Sequence, residues 1–391
     1  MNQVASKSTI LKCDRDYSTL PPLLTMQDGT LVTTPEQFDL RRKEILSLFE
    51  THVYGTLPKT GFSTQFELMH EVKSPDGKAI RKQIRIRVET AKGSSDALML
   101  LVLPLSALPV PVILGLNFNG NHTTSKDGSV LPSLSSKESL QQIAQLRGSK
   151  SYRWPFDQSV QRGIGLATIC CHDFAPDDAN TYNTRLISLF DDPNFMSVSA
   201  WAFGLSRAID YLVQDKAVDP MRIALIGHSR LGKAALWAAA HDARTAVVFS
   251  NDSGNTGASL SRASAGETIK DITSRFPHWF SSTYSTYANR ENELPIDQHL
   301  LLASIAPRKI YVASAQEDLW ADPQGAWNSL QFCRPAFRLF GLPILPDADT
   351  QPPIGIPLTC PSMGYHLRAG QHDILPQDWA YYLDFMQRYL P

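Results

Sequence analysis

The stretch "RIALIGHSRLGKAALWAAA", residues 222–240, decides the fold of this protein. Its first part is a short apolar run that ends at Gly227, which is typical of a buried strand. Its last part is rich in alanine and leucine, which favours a helix. Between the two parts lie His228, Ser229 and Arg230. The stretch therefore predicts a strand, a sharp turn that carries a serine, and a helix.

Further short apolar runs, each bounded by Gly, Pro or Asn, occur on both sides of this stretch. The six runs, in chain order, are "ALMLLVLP", "PVILGLNF", "IGLATICC", "RIALIG", "AVVFS" and "KIYVASA". Strands that are buried on both faces have this composition, and their alternation with helical stretches indicates βαβ units. The sequence therefore predicts a three-layer αβα sandwich around a mostly parallel central sheet.

The length of the chain favours a single domain over residues 1–391. We expect an N-terminal extension over residues 1–30. The segment 335–360 is rich in Pro and Gly and predicts a surface insertion. Because this segment lies close in sequence to Trp320 and His372, we expect it to form a wall of the site.

The charge balance excludes some classes of partner. The chain has 37 basic and 38 acidic residues, a formal net charge of -1, and no long run of one sign. It therefore lacks the electrostatic signature of proteins that bind nucleic acid or an anionic membrane. We expect a neutral or small polar partner, with no nucleic acid and no membrane.

The longest uncharged apolar window, residues 97–116, is about long enough to cross a bilayer as a helix. It contains Pro104, Pro109 and Pro111, which remove backbone donors and clash with the preceding turn of a helix. Two buried strands with a proline-rich connection fit this window better. We therefore predict no transmembrane segment.

The N-terminus "MNQVASKSTILKCDRDYSTLPP" lacks a basic region followed by an apolar core, so no signal peptide is visible. Either the protein is cytoplasmic or a leader has been removed. The five cysteines form no CxxC pair, and their odd number leaves at least one thiol unpaired within the chain. Because HExxH, clustered Cys/His and dinucleotide glycine patterns are also missing, the sequence predicts no metal and no organic cofactor.

Ser229 is the candidate nucleophile. An α/β-hydrolase presents its serine on a strained strand-to-helix turn, where the helix N-terminus offers amide donors to an oxyanion. Gly227 satisfies the need for a small residue before the serine, but the second glycine is Gly232, which gives GxSxxG in place of GxSxG. The alternative interpretation is a serine that only caps the helix.

A nucleophilic serine needs a base, and in this fold the base follows the serine and the acid along the chain. His372 lies in a polar loop directly before the last helical stretch, where this fold places its base. His366 is a weaker rival. His241 and His299 lie within helical patterns and are interpreted as structural.

Three aspartates are candidates for the acid that orients the histidine. Asp318 follows the run "KIYVASA", and Asp252 follows the preceding run "AVVFS". Asp322 is an alternative to Asp318, although "ADP" is equally typical of a helix cap or a turn. The residues alone leave this choice open.

Several motifs together resemble a known family. They are "GHSRLGKAALWAAA", "SNDSG", "GETI", "FPHWF", "LPIDQHLLLASIAPRKIYVASAQEDLWADP" and "GYHLRAGQHDI", with "LNFNGNHT" and "RWPFDQSVQRG" upstream. In order and spacing they resemble the glucuronoyl esterases of carbohydrate esterase family 15, most closely the bacterial branch. The resemblance implies an α/β-hydrolase fold and the cleavage of esters between 4-O-methyl-glucuronic acid of xylan and lignin alcohols.

The resemblance also implies residue roles. Ser229 matches the nucleophile, His372 the base, and Arg230 an arginine that helps to hold the oxyanion. The acid of the family follows either of two strands, at the positions of Asp252 and Asp318 here. Many members have glutamate at the first position, so the shorter Asp252 is expected not to reach His372, and Asp318 is favoured.

For the sugar, the resemblance assigns Lys233 and Glu267 to the hydroxyl groups and Trp320 to the ring. It favours a secreted or periplasmic enzyme, and we expect a monomer. Besides a peptidase of the same fold, which the lack of a propeller-like N-terminal repeat argues against, two alternatives stay open at this stage. One is an acetylxylan or broader carboxylic esterase of the same fold, because the catalytic residues do not fix the acyl group. The other is a carbohydrate-binding homologue without turnover.

Overall fold

The computed structural model describes residues 15–74 and 76–390. Within this part of the chain the strands are β1 (Ser63–Lys73), β2 (Ala79–Thr90), β3 (Gly93–Pro104), β4 (Val110–Asn117), β5 (Gly165–Cys170), β6 (Val218–His228), β7 (Thr245–Asn251), β8 (Lys309–Ala315), β9 (Leu358–Thr359) and β10 (Met363–Arg368). The α-helices are α1 (Pro35–Phe49), α2 (Asn121–Thr124), α3 (Leu140–Leu146), α4 (Phe156–Gln161), α5 (Ser197–Leu212), α6 (Arg230–His241), α7 (Ile269–Arg275), α8 (Gln298–Ala303), α9 (Pro323–Leu339) and α10 (Pro376–Tyr389).

All of these strands form one sheet in the order β1-β2-β3-β5-β4-β6-β7-β8-β10-β9. The six strands from β5 to β10 in this order run parallel. The mostly parallel sheet predicted from the sequence is therefore confirmed, and its arrangement is that of an α/β-hydrolase. All six apolar runs form strands.

Two strands differ from the expectation. β3 is antiparallel to both of its neighbours: a tight turn from Thr90 to Gly93 folds it back on β2, and it also pairs antiparallel with β5. The sequence analysis did not identify β10 as a strand. Its stretch "MGYHLR" buries His366 and Arg368, and these polar residues interrupt the apolar pattern that marks a buried strand.

Helices cover both faces of the sheet, which confirms the three-layer sandwich. In β4, Val112 and Leu114 belong to the core that contains buried residues of α5, α6, α8 and α9. Ile113, between them, belongs to a second core formed with α10. Because successive side chains of a strand point to opposite faces of the sheet, β4 contributes to both apolar cores.

The apolar window 97–116 folds as most of β3, a proline-rich connection and most of β4, as predicted. Among the described residues, no helix combines the length and the hydropathy that a membrane crossing requires.

The segment 335–360 was predicted to be an irregular insertion, but α9 continues to Leu339. Pro335 lies inside this helix, and its neighbours Ala336 and Phe337 are buried in the core. Burial of this apolar face therefore outweighs the hydrogen bond that proline cannot donate. The irregular part of the segment starts after Leu339.

The N-terminal extension was predicted over residues 1–30, and residues 1–14, with Cys13, lie outside the described part. The rest packs on the domain, since Leu23 is buried and its carbonyl accepts a hydrogen bond from Arg41. The other cysteines are Cys170, Cys171, Cys333 and Cys360, and all four are free thiols.

Candidate active site

Ser229 lies on a strained turn between β6 and α6. Its φ is 58° and its ψ is −134°, a conformation that residues other than glycine rarely adopt. A Cβ atom at Gly227 would lie 2.1 Å from the carbonyl oxygen of Leu231, and one at Gly232 would lie 2.8 Å from Cβ of Ser253. Both glycines are therefore needed for the close approach of the chain on each side of the serine.

The structure does not support the alternative of a helix-capping serine. The Ser229 side chain makes no capping hydrogen bond to α6. Its backbone N–H donates to the carbonyl of Asn251 at 2.9 Å, which ties the turn to the end of β7. Ser229 lines a cavity of about 330 Å³ at the carboxyl edge of the sheet.

His372 and Asp318 form a close pair in the same cavity. Nδ1 of His372 lies 2.5 Å from Oδ2 of Asp318. Asp318 is 7% exposed, whereas the His372 side chain is 42% exposed. An imidazole that bonds a carboxylate through Nδ1 has its Nε2 atom available for a serine hydroxyl.

Asp252 also lies near His372, but its carboxylate is already bonded. Oδ1 accepts a hydrogen bond from the backbone N–H of Ala315 at 2.6 Å, and Oδ2 pairs with Nη2 of Arg368 at 3.1 Å. Burial raises the pKa of this carboxyl well above its usual value, against the opposing charge of Arg368. The structure therefore pairs Asp318, and not Asp252, with His372.

Asp322, the third candidate acid, caps a helix instead. Its Oδ1 atom accepts from the N–H of Gly325 at 3.0 Å at the start of α9. Both of its oxygens also pair with Arg15 at 2.7 Å. The cap interpretation was therefore the right one for Asp322.

His366, the rival base, is fully buried in β10. Its Nδ1 atom bonds the Tyr311 hydroxyl at 3.0 Å, and its Nε2 atom bonds Oδ1 of Asp378 at 2.8 Å. Both ring nitrogens are occupied, so this histidine is a packed core residue.

His241 and His299 have structural positions, as predicted. His241 is the last residue of α6, and its ring lies 4.2 Å from the Trp237 ring. Nε2 of His299 bonds the carbonyl of Pro21 at 3.0 Å. Neither histidine lines the cavity that contains Ser229.

His228, the neighbour of the serine, points toward the sheet. Its Nδ1 atom bonds Oδ1 of Asn251 at 2.7 Å, and its ring lies 4.6 Å from the ring of His372. Burial, followed by the nearby His372, lowers the pKa of His228 well below its usual value. The neutral, buried ring of His228 therefore packs against the ring of His372.

The residues assigned to the sugar converge on the cavity. The Lys233 ammonium group is buried and donates to the carbonyl of Ser253 at 2.6 Å and to that of Asn255. Burial lowers the Lys233 pKa to about 8, although the nearby Glu267 carboxylate opposes the shift. Oε1 of Glu267 accepts from Nε1 of Trp320 at 3.2 Å. Lys233 and Glu267 therefore offer a donor and an acceptor beside a half-exposed indole ring.

Among the cavity-lining residues to which the sequence analysis assigned no role, three have large side chains. They are Arg275, Phe276 and Trp279. The rings of Phe276 and Trp279 stack with centroids 3.9 Å apart, and the Arg275 guanidinium lies 5.9 Å from the Trp320 ring centroid. The motif "FPHWF" was the only available signal, because residues on irregular loops follow no hydrophobic period.

The Arg230 side chain also reaches the cavity. Its Nε atom lies 2.5 Å from Oδ2 of Asp177, and its guanidinium carbon lies 4.6 Å from the centroid of the Phe118 ring. The cation is therefore held beside the serine by a carboxylate and an aromatic face.

Asp252, Asp318 and His372 each have a possible metal-ligating atom, and these atoms lie within 4.8 Å of one another. The carboxylate oxygens of Asp252 already accept from Ala315 and Arg368, and the Arg368 guanidinium is itself a cation. A metal ion here would have to displace these contacts, so the donor set fits a hydrogen-bonded pair better than a metal.

The segment 335–360 was expected to form a wall of the site, and this expectation is wrong. Among the described residues that line the cavity, none comes from it. The segment lies instead along β10, where the N–H of Gly355 donates to the carbonyl of Leu367 at 2.7 Å.

Comparison with known sequences adds an independent observation. A family model described as "Glucuronyl esterase, fungi" matches residues 102–341. The chain is 39% identical to carbohydrate esterase MZ0003 of an unknown prokaryotic organism, over 95% of this chain and 90% of the relative. It is 26% identical to a 4-O-methyl-glucuronoyl methylesterase of Schizophyllum commune, over 83% of this chain and 75% of the relative.

A solved structure agrees with these matches. The glucuronoyl esterase from Solibacter usitatus superposes with a TM-score of 0.89 at 38% sequence identity. The superposition covers 97% of this chain and 99% of that protein.

Proposed function

Since this chain belongs to the glucuronoyl esterase family, carbohydrate esterase family 15, we propose that it hydrolyses the ester between 4-O-methyl-glucuronic acid of glucuronoxylan and a lignin alcohol. The observation that carries this proposal is the 2.5 Å contact between His372 and Asp318 in the cavity that also exposes Ser229. This arrangement suits acyl transfer through a serine.

In the proposed mechanism, His372 accepts the proton of the Ser229 hydroxyl as the serine oxygen attacks the ester carbonyl. Asp318 holds the imidazole through Nδ1 and stabilises the imidazolium that forms. His372 then gives the proton to the departing alcohol. Water, activated by the same histidine, hydrolyses the glucuronoyl-serine and releases the acid.

The negative charge of the tetrahedral intermediate needs donors beside Ser229. We assign this role to the backbone amide and the guanidinium of Arg230, at the N-terminus of α6. An amide at a helix N-terminus carries part of the positive end of the helix dipole. The guanidinium adds a charge-assisted donor, and such donors at an oxyanion commonly contribute about 10²–10³ in kcat.

The sugar binds, in this proposal, between Lys233, Glu267 and Trp320. A uronic acid ester is neutral and carries several hydroxyl groups, so it needs directional donors and acceptors together with a flat apolar surface. Lys233 supplies donors, Glu267 accepts, and the indole of Trp320 packs on the ring. A polymeric cell-wall substrate further leads us to propose a location outside the cytoplasm, and we also propose that the enzyme acts as a monomer.

The test is hydrolysis of benzyl glucuronate by wild type and by Ser229→Ala. We expect the variant to lose about 10⁶ in kcat, as other serine hydrolases do without their nucleophile. Ser282→Ala is the matched control, because Ser282 is exposed and does not line the cavity.

Acetylated xylan and p-nitrophenyl acetate are the comparison substrates. A kcat/KM for acetylated xylan above that for benzyl glucuronate would replace the proposed specificity with the acetylxylan alternative. Equal turnover of benzyl glucuronate by wild type and Ser229→Ala would remove the serine mechanism altogether.

A further inference from the structure

The guanidinium group of Arg230 has a carboxylate and two aromatic rings as neighbours. Its Nε atom lies 2.5 Å from Oδ2 of Asp177. Its central carbon lies 4.6 Å from the centroid of the Phe118 ring and 5.7 Å from that of Trp279. A planar cation that lies near two aromatic rings and pairs with a carboxylate has little freedom to rotate.

Asp177 is itself fixed by its surroundings. Its Oδ1 atom accepts hydrogen bonds from Nε2 of His278 at 2.9 Å and from Nε1 of Trp279 at 2.6 Å. Its backbone N–H donates to Nδ1 of His172 at 3.2 Å. Burial alone would raise the pKa of this carboxyl, but the His278 hydrogen bond and the Arg230 charge hold it below its usual value. Asp177 is therefore a rigid carboxylate and not a mobile surface charge.

The two oxygens of Asp177 have separate partners. Oδ1 faces His278 and Trp279, whereas Oδ2 faces Arg230. Arg230 and Asp177 form an ion pair whose shortest contact is at Nε, although Nε makes no hydrogen bond among the described residues. The N–H groups on the two η nitrogens stay available. Within the described part of the chain these nitrogens make no hydrogen bond, and Arg230 lines the cavity beside Ser229.

We propose that Asp177 is a positioning residue that aims the η nitrogens of Arg230 at the oxygen of the ester carbonyl. This inference rests on the proposed function, in which that oxygen becomes negative. A donor that is already oriented needs no rearrangement when the charge develops, and it therefore lowers the barrier more than a mobile donor does. Asp177 does not line the cavity that contains Ser229, so in this proposal it acts only through Arg230.

If Asp177 orients Arg230, replacing Asp177 should change kcat and not KM. The ester oxygen carries little charge in the ground state and a full charge in the tetrahedral intermediate. Loss of Arg230 orientation should therefore lower kcat and leave KM nearly unchanged. A residue that only shaped the sugar cavity would change KM instead.

Asp177→Asn is the selective variant. An asparagine oxygen can still accept the hydrogen bonds from His278 and Trp279, but the neutral NH₂ group that then faces Arg230 removes the negative charge of the ion pair. The matched control is Asp178→Asn, one residue along. Asp178 is exposed, and its carboxylate only accepts hydrogen bonds from Asn180 and Thr181 in its own turn.

The experiment is a double-mutant cycle of wild type, Asp177→Asn, Arg230→Ala and the double variant, with kcat, KM and the thermal transition measured for each. We expect Arg230→Ala to lose about 10²–10³ in kcat and Asp177→Asn about 10-fold or more. In the Arg230→Ala background, Asp177→Asn should change kcat by less than about 2-fold. A loss from Asp177→Asn that is equal in both backgrounds, falls on KM, or is no larger than that of Asp178→Asn would overturn the proposal.

If Asp177→Asn does not fold, Asp177→Glu replaces it in the same cycle, since it keeps the charge and shifts the carboxylate by one methylene group. Added guanidinium chloride gives a second readout. It should restore part of the kcat of Arg230→Ala and restore clearly less when Asp177 is also replaced. Equal restoration in both variants would contradict the role of Asp177.

The cycle does not depend on the identity of the natural ester. If benzyl glucuronate is not hydrolysed but p-nitrophenyl acetate is turned over through Ser229, the proposed function fails while the cycle is measured on the acetate. The two proposals can therefore fail separately.

Discussion

The ends of β7 and β8 each present a buried aspartate near His372, yet the two carboxylates are bonded in different ways. Asp252, after β7, accepts from the backbone of Ala315 and pairs with Arg368. Asp318, after β8, meets Nδ1 of His372. The difference teaches that proximity to a histidine does not identify its acid. A carboxylate whose oxygens already have partners anchors the structure, whereas one with an available oxygen can orient an imidazole.

Through Arg368, Asp252 also stabilises the loop that carries His372. Arg368, the partner of Asp252, also donates to the carbonyl of Gln371 at 2.7 Å and to that of Asp373 at 2.5 Å. These two residues flank His372 in the chain. The aspartate after β7 therefore supports the loop, and the aspartate after β8 bonds the ring that the loop carries.

The most direct test of this difference between the two aspartates is to remove the negative charge of Asp318. We expect Asp318→Asn to lose about 10⁴ in kcat, because an amide favours the wrong imidazole tautomer and cannot stabilise the imidazolium. The measurement is steady-state hydrolysis of benzyl glucuronate. A loss below about 10-fold would show that Asp318 does not have this role, and a full loss in Asp252→Asn would then assign it to the aspartate after β7.

Asp252→Asn should instead affect stability. It removes one of the two carboxylates that pair with the buried Arg368, the other being Asp378. Loss of a bond to a charged group commonly costs about 2 kcal/mol in the free energy of unfolding, while kcat per folded molecule should fall less than about 10-fold. Asparagine is the appropriate replacement because Asp252 has a φ of 44°, which asparagine tolerates. Urea denaturation and kcat are measured on the same sample. An unchanged free energy of unfolding would contradict the anchoring role.

Short-range signals predicted the serine turn and the sheet, whereas the roles of Arg230, Lys233, Glu267 and Trp320 were implied by the family resemblance. The apolar run, Gly227 and Ser229 lie within a few residues, and the six runs are regular enough to predict the sheet. The choice between Asp252 and Asp318 depends on Arg368, which lies in a strand that the apolar pattern did not show. Asp177 and Trp279 reach Arg230 from irregular loops, and no local pattern predicts contacts between such distant positions.

Asp322, which caps α9, is a third aspartate that can be compared with Asp252 and Asp318. Asp322→Asn should lower the free energy of unfolding by about 1 kcal/mol, because it weakens a helix cap and the ion pair with Arg15, and kcat should stay at the wild-type value. Asparagine again suits the left-handed backbone, whose φ is 53°. A kcat loss near that of Asp318→Asn would mean that any damage to this loop stops turnover.

The smallest expected effect concerns Lys233, which donates to the loop after β7 through the carbonyls of Ser253 and Asn255. Its pKa, lowered to about 8 by burial, places the loss of its proton within the range of an activity assay. Below pH 8 the ammonium group has a third N–H for a sugar hydroxyl. Above pH 8 the neutral amine keeps two N–H groups for the two carbonyls and turns a lone pair toward the cavity.

The KM for benzyl glucuronate should therefore rise about 5-fold between pH 7 and pH 9, since a charged donor contributes about 1 kcal/mol more than a neutral one. The control is p-nitrophenyl acetate, which has no sugar, and both rates are corrected for alkaline hydrolysis of the ester. The same rise for both substrates would place the titration elsewhere, and a flat KM for both would mean that Lys233 serves only the loop. A rise confined to the glucuronate ester would show that one buried ammonium group anchors the loop after β7 and also binds the sugar.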